Sequence, residues 1–258
     1  MSTSNAATTS GPAIYETADS LNQYLLFHYG TREDILPWAF GPTTGWAYPS
    51  DCAALLSRHV PELNRALDLG CAVGRSSFEL ARRAHHVLGI DFSQAFVDAA
   101  TSMKKDGGVS IERHDEGDRT SWIEGKLDAA IDRKRVQFRQ GDACALPDDL
   151  KTFDAVLMAN LIDRLPDPAA CLKRLPALVR PGGAVLITSP YTWLEDYTPR
   201  DKWLGGQDGN NTLDGLKEHL QDHFTLTHRE DLPFLIREHA RKFQWSVAEG
   251  TVWVRKEG

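Results

Sequence analysis

Three short apolar runs in this chain end in side chains suited to holding a small polar ligand. In residues 65–74, RALDLGCAVG, the run closes on Asp68-Leu69-Gly70, and Cys71-Ala72-Val73-Gly74 turns into an amphipathic stretch. Glycines at such a turn let the backbone approach a ligand, and the following helix N-terminus offers free N–H groups. The second run ends in Gly89-Ile90-Asp91-Phe92. A carboxylate there can accept both hydroxyls of a ribose, with Phe92 lying against an adenine. The third ends in Gln140-Gly141-Asp142-Ala143, where Asp142 can accept an adenine amino hydrogen and the Ala143 N–H can reach a ring nitrogen. A dinucleotide site would want G-x-G-x-x-G, whereas Ala72 occupies the middle glycine position. The spacing to Asp91 suits either cofactor class. The third acidic strand end favours S-adenosylmethionine, with Asp68 placed to take its ammonium group directly or through water. Gly70, Cys71 and Gly74 then form the cradle. Asn160 and Leu161, at the end of a fourth run, form the floor between cofactor and substrate, followed by Asp163 and Arg164.

These residues need a scaffold that brings strand ends together. From Arg65 onward, short apolar runs alternate with amphipathic segments, the pattern of an α/β, doubly wound, mostly parallel sheet. Strands are expected near 66–69, 87–91, 135–140, 154–159 and 183–189. Two later runs, near 223–230 and 247–254, bring the count to seven as an antiparallel edge. Helices are expected over 76–84, after Ser93, from Pro168 to the Pro181-Gly182-Gly183 stop, and near 212–222. The charged segment 104–134 reads as an insertion with a helix around 122–131. Residues 1–13 read as a disordered tail, 14–64 as an N-terminal lid and substrate segment, and 190–211 as an aromatic substrate segment within one domain over 14–258.

The 258 residues are 41% apolar and about a quarter charged, with a net charge of −7 and no Lys/Arg stripe. That is an ordinary globular composition and argues against a nucleic-acid enzyme. No stretch approaches the roughly 18 uncharged apolar residues of a membrane span. Four cysteines (Cys52, Cys71, Cys144, Cys171) without a CxxC pair suggest free thiols in the cytoplasm. His219 and His223 have metal-ligand spacing, but no third ligand is evident, so no metal is expected.

Several blocks resemble one family closely. RALDLGCAVGRSSFELAR, GIDFSQAFVDAA, QGDACALP, ANLIDRLPDPAACLKRLP, TSPYTWLEDYTPRDKWLGG and FLIREHARKFQW look like the methyltransferase domain of ovothiol-biosynthesis enzymes, the 4-mercaptohistidine (5-thiohistidine) N-methyltransferases. YETADSLNQYLLFHYG looks like that domain's opening, so the resemblance covers about 15–255. It implies a Rossmann-like class I methyltransferase and transfer of methyl to an imidazole nitrogen of a sulfur-bearing histidine. Many such enzymes carry this domain behind a non-haem iron domain that installs the sulfur. In a stand-alone form, either a separate sulfur- or selenium-inserting enzyme supplies the substrate or the selenium analogue is methylated.

For that chemistry a neutral imidazole already owns a lone pair, and the site needs an acceptor to fix its tautomer. Asp163, the expected catalytic residue, or Glu195 can serve. The substrate wall is assigned to Tyr15, Tyr24, Phe27 and Tyr29 on one side and to Tyr191, Trp193, Tyr197, Lys202 and Trp203 on the other. Arg164, Lys202 and Arg241 are candidates for the substrate carboxylate. Phe243 and Trp245 either line the pocket or bury against the sheet, and His28 either touches the substrate or packs.

Overall fold

The computed structural model describes residues 11–257. The central sheet opens with β1 (Arg65–Leu69) and β2 (His86–Asp91). The chain then leaves it for a separate hairpin, β3 (Gly108–Glu116) and β4 (Arg119–Lys126). It returns through β5 (Val136–Gln140), β6 (Phe153–Ala159) and β7 (Val179–Ser189), and ends with β8 (Phe224–His239) and β9 (Lys242–Arg255). Spatially the seven strands run β5-β2-β1-β6-β7-β9-β8, parallel as far as β7 and antiparallel beyond it. The chain steps outward from β1 to β5, then crosses back to β6. A crevice therefore opens at the carboxyl ends of β1 and β6, where strand order reverses.

The helices are α1 (Ala18–Tyr29), α2 (Arg32–Ile35), α3 (Tyr48–Arg58), α4 (Arg75–Leu80), α5 (Gln94–Asp106), α6 (Pro168–Leu178) and α7 (Thr212–Leu220). Alternate residues of the central strands feed two cores: Ala155 and Leu157 pack on one face, Val156 and Met158 on the other. Both faces are covered, which is why these strands read as continuous apolar runs. Ser93 caps α5 by accepting the Phe96 N–H, and Asp167 caps α6 by accepting the Ala170 N–H, with Pro168 at the first turn. No helix among the described residues is long and apolar enough to cross a membrane.

The expected doubly wound, seven-stranded α/β sheet is present, and four local expectations change. The helix expected around 122–131 is replaced by the β3–β4 hairpin, paired from Gly108 with Lys126 to Glu116 with Arg119. Its turn sits on Gly117, at φ 55, and its inward side chains alternate, with Ile111 buried and Ile123 against the core. That period of two defeats a helical reading. The helix from Pro168 stops at Leu178 rather than at Pro181, because β7 already begins at Val179. The two terminal strands are far longer than the runs at 223–230 and 247–254 suggested. Of the expected tail 1–13, residues 1–10 lie outside the described residues, and 11–13 begin a 3-10 turn, Gly11–Glu16. Residues 17–64 are largely helical.

Candidate active site

The crevice is a deep cavity whose floor is formed by the ends of β1, β2, β5 and β6. On the β2 side, Asp91 Oδ2 accepts the Ala72 N–H at 2.8 Å and Oδ1 accepts the Ser93 N–H at 2.9 Å. Burial pushes its carboxyl up to about 6, against the lowering effect of those two N–H groups. The Phe92 ring is 62% exposed at the cavity edge. Asp142 and Ala143 follow at the end of β5, with Asp142 Oδ1 accepting the Cys144 N–H at 2.8 Å. Gly70 (φ 72) and Ala72 (φ 46) bend the loop from β1 over the cavity, and a Cβ at Gly70 would come within 2.9 Å of the Leu161 side chain. Left-handed backbone at a non-glycine residue is the kind of strain that concentrates at binding loops.

Two expected cofactor residues lie behind this wall. Asp68 is buried, accepts the Ser77 hydroxyl at 2.6 Å, and has its carboxyl pushed up to about 7 by burial. It does not line the cavity. Gly74 (φ 90) starts α4, and a Cβ there would meet the Phe138 ring at 2.6 Å. Cys71 does line the cavity, its buried thiol held well above the usual range.

On the opposite side, α1 presents Tyr24, Phe27 and His28. Tyr15 packs edge-on against Tyr24 with centroids 5.8 Å apart, and lies 6.1 Å from the Tyr197 ring. His28 Nδ1 accepts the Arg75 N–H at 3.4 Å, and burial, with Arg75 beside it, lowers its pKa to about 3. The imidazole is neutral at physiological pH. Tyr29 turns away, donating to the Val73 carbonyl at 2.7 Å.

Arg164 lines the cavity, while Asp163, 1% exposed, lies behind it. Arg164 Nη1 donates to Asp163 Oδ2 at 2.9 Å, to the Asp163 carbonyl at 2.8 Å and to the Thr192 carbonyl at 2.8 Å. Asp163 Oδ2 also accepts the Thr192 N–H at 3.1 Å. Burial raises the Asp163 pKa, opposed chiefly by Arg164. The guanidinium carbon stands 4.9 Å over the Tyr197 ring. What faces the cavity is thus a guanidinium fixed along one edge, not the carboxylate expected from sequence.

The remaining aromatic-segment residues are engaged outside the cavity. Tyr191 donates to Glu249 Oε2 at 2.5 Å, and Trp193 donates to the Thr212 hydroxyl at 3.0 Å. Trp203 donates to the Thr198 carbonyl at 2.9 Å and stacks on Trp193, while Lys202 binds Asp167 at 2.8 Å. Glu195 is exposed. Arg241 sits over the Trp38 ring, Phe243 packs against the core and Trp245 is half-exposed.

Among the cavity residues not anticipated are Tyr48, Phe96 and Ile236. Tyr48 had a signal, because Tyr48-Pro49 opens α3, but nothing in the sequence tied that helix to Asn160. Adenosine-type acceptors at Asp91 and Asp142, an exposed aromatic face at Phe92 and a tyrosine-rich wall suit S-adenosylmethionine in both its nucleoside and its sulfonium.

A family model described as a methyltransferase domain matches residues 67–187. The ubiquinone biosynthesis O-methyltransferase of Aeromonas salmonicida (strain A449) is 29% identical over 125 residues, 48% of this chain and 42% of that protein. An uncharacterized methyltransferase of Schizosaccharomyces pombe is 26% identical over 146 residues, 55% of this chain and 46% of that one. The chain thus spans less than half the length of these relatives. Among solved structures, N-methyltransferase NodS from Bradyrhizobium japonicum WM9, in complex with S-adenosyl-L-homocysteine, superposes with TM-score 0.55 at 15% identity, covering 94% of this chain and all of that one. The cyclase SpnF superposes with TM-score 0.60 at 16% identity over 95% of each chain. These two likenesses are of fold. Residues 67–187, just under half of the chain, are thus similar to a methyltransferase domain.

Proposed function

We propose that this S-adenosylmethionine-dependent methyltransferase methylates an imidazole nitrogen of a small amino acid, a histidine bearing sulfur or selenium on its ring. The observation that carries the reading is Arg164. Its guanidinium is immobilised along one edge by Asp163 and the Thr192 carbonyl, inside a cavity walled by Tyr15 and Tyr24. The guanidinium's remaining N–H groups can meet an α-carboxylate, and the tyrosine rings, set edge to face, wall the space beside it for an imidazole. Asp163 acts here as a positioning residue.

The names of the curated relatives point to O-methylation as the second reading. A phenolic hydroxyl needs a base to become a good nucleophile, whereas a neutral imidazole brings its own lone pair. The one histidine of the cavity wall, His28, is held neutral near pKa 3 and makes a poor base, which favours the imidazole. S-adenosylmethionine, when bound, would supply a methyl on a sulfonium to the ring nitrogen's lone pair, the carbon–sulfur pair returning to sulfur and the other ring nitrogen losing its proton. For the chain's residues the task is placement: Asp91, Phe92, Asp142 and Ala143 would hold the nucleoside, the 70–72 loop and Leu161 the sulfonium end, and Arg164 would set the acceptor's distance.

The reading calls for a sulfur- or selenium-inserting reaction to supply the substrate. It also sets the chain in the cytoplasm, in keeping with four free cysteines among the described residues. Incubation with 5-thiohistidine and methyl-labelled S-adenosylmethionine, with fragmentation of the product, tests it. Label on a ring nitrogen is expected. No turnover, with methylation of a phenol instead, replaces it with the second reading.

A further inference from the structure

At the end of β6 a polar circuit fixes the amide of Asn160. The Tyr48 hydroxyl lies 2.6 Å from Asn160 Oδ1 and 2.6 Å from Thr188 Oγ1, and the Asn160 N–H reaches Thr188 Oγ1 at 3.2 Å. The Thr188 hydroxyl also lies 3.4 Å from Asn160 Oδ1, and the Asn160 backbone N–H reaches the Thr188 carbonyl at 2.9 Å. A separation of 2.6 Å from the Tyr48 hydroxyl is usual for O–H···O and short for N–H···O, so the amide turns its oxygen toward Tyr48. The amide oxygen is therefore committed to Tyr48, and Nδ2 has no hydrogen-bond partner among the described residues, although Asn160 lines the cavity. Asn160 also holds φ 51, a left-handed backbone that glycine adopts freely.

Strand order says which ligand this donor meets. The nucleoside acceptors Asp91 and Asp142 sit at the ends of β2 and β5, on the far side of β1, whereas Asn160 directly follows β6, which lies between β1 and β7. The amide thus lies away from the nucleoside, between the 70–72 loop that faces the methyl group and Arg164, four residues on. Its free end can only donate.

We propose that Asn160 Nδ2 donates a hydrogen bond to the ring-borne thiolate or selenolate of the acceptor. It would thereby turn that nucleophile away from the methyl group and present the neighbouring ring nitrogen. The inference rests on the function proposed above. It addresses the selectivity which that function demands, since sulfur and selenium are intrinsically better nucleophiles than an imidazole nitrogen. A neutral donor suits the task, because it engages the anion with its lone pair while Arg164 is left for the carboxylate.

Asn160→Asp keeps an oxygen for Tyr48 and replaces the donor by an acceptor. Asn160→Gly removes the amide while suiting the left-handed backbone, which guards the fold. With 5-thiohistidine, the ratio of ring-nitrogen to sulfur methylation is read by fragmentation, and S-adenosylhomocysteine affinity by calorimetry. Both variants should bind S-adenosylhomocysteine as wild type does and raise the sulfur-methylated share about tenfold, the factor one such hydrogen bond supplies. Tyr48→Phe, which frees the amide to rotate, should shift the ratio the same way. An unchanged ratio in an active enzyme overturns the inference alone. Weakened S-adenosylhomocysteine binding with an unchanged ratio assigns the amide to the cofactor and also overturns it. A wild-type chain inert toward thiohistidine removes the proposed function, and this inference with it.

Discussion

The carboxyl groups around the 70–74 turn respond to pH in a definite direction. Asp91 titrates near 6 in the folded chain and near 4 when unfolded, so folding disfavours its ionised form. Its stabilising contribution is whole below pH 4 and is lost as pH rises through 6, by on the order of 3 kcal/mol. Asp68 prolongs that loss to about pH 7. Relative to wild type, Asp68→Asn should therefore gain thermal stability between pH 4 and 7, read from melting temperatures across that range; parallel profiles would count against the assignment. Ribose hydroxyls need the ionised acceptor, so S-adenosylhomocysteine affinity should rise with pH through about 6 and lose that rise in Asp91→Ala, which costs on the order of 1–3 kcal/mol. At this scale the sequence was most readable where a strand end announced itself: Asp91, Phe92, Asp142 and Ala143 all reach the cavity. It was least readable in 190–211, where Trp193, Lys202 and Trp203 were chosen by type, because a tryptophan that packs and one that binds look identical until its N–H finds a partner.

Among the elements, the β3–β4 hairpin props α1, and α1 carries the aromatic wall. Gly125 marks the contact, since a Cβ there would lie 2.8 Å from the Tyr29 Cβ and 2.9 Å from Ile111 Cδ1. Gly125→Ala should cost roughly 1–3 kcal/mol by overpacking, seen as a lower urea midpoint with faster amide exchange in 108–126. An unchanged midpoint would show that the hairpin yields freely. The sequence concealed this element because Trp122 and Ile123 sit in a charged stretch with no apolar face of helical length. The Gly117-Asp118 turn and the alternation around Ile111 were its only marks. By contrast, β1, β2, β5 and β6 were legible almost to the residue: in β1 and β6 double burial leaves an uninterrupted apolar signature, whereas the edge strand β5, with only Val136 buried, was marked by the Gly141-Asp142 step that ends it.

Across the whole molecule, β8 and β9 run on past the parallel sheet, and Arg237 near the end of β8 ties that extension to the amino-terminal helices. It donates to the Asp34 carbonyl at 2.8 Å, to the His114 carbonyl at 3.3 Å and to Asp115 at 2.8 Å, with its side chain 2% exposed. Arg237→Met leaves Asp115 and two carbonyls without that donor and should lower stability by roughly 3 kcal/mol in urea titration, whereas an isostable variant would deny the tie its role. Such long-range pairing, across 203 residues for Asp34, leaves no local trace in a sequence. The amino-terminal segment is held at its other end by the start of α5. There Asp91 accepts the Ser93 N–H, Glu16 accepts the Gln94 N–H at 3.0 Å and the Ala95 N–H at 3.4 Å, and the Ser93 hydroxyl donates to the Tyr15 carbonyl. Two carboxylates that share one helix end are linked thermodynamically. Whatever free energy the ligand gains by engaging Asp91 while Glu16 is docked, the docking of Glu16 gains in return. Because the Glu16 charge helps raise the Asp91 pKa, Glu16→Gln should ease ionisation of Asp91 and tighten S-adenosylhomocysteine binding without touching the ligand; an unchanged affinity by calorimetry would deny the linkage. That linkage makes the first turn of α5 a reporter between the amino-terminal helices and the ligand.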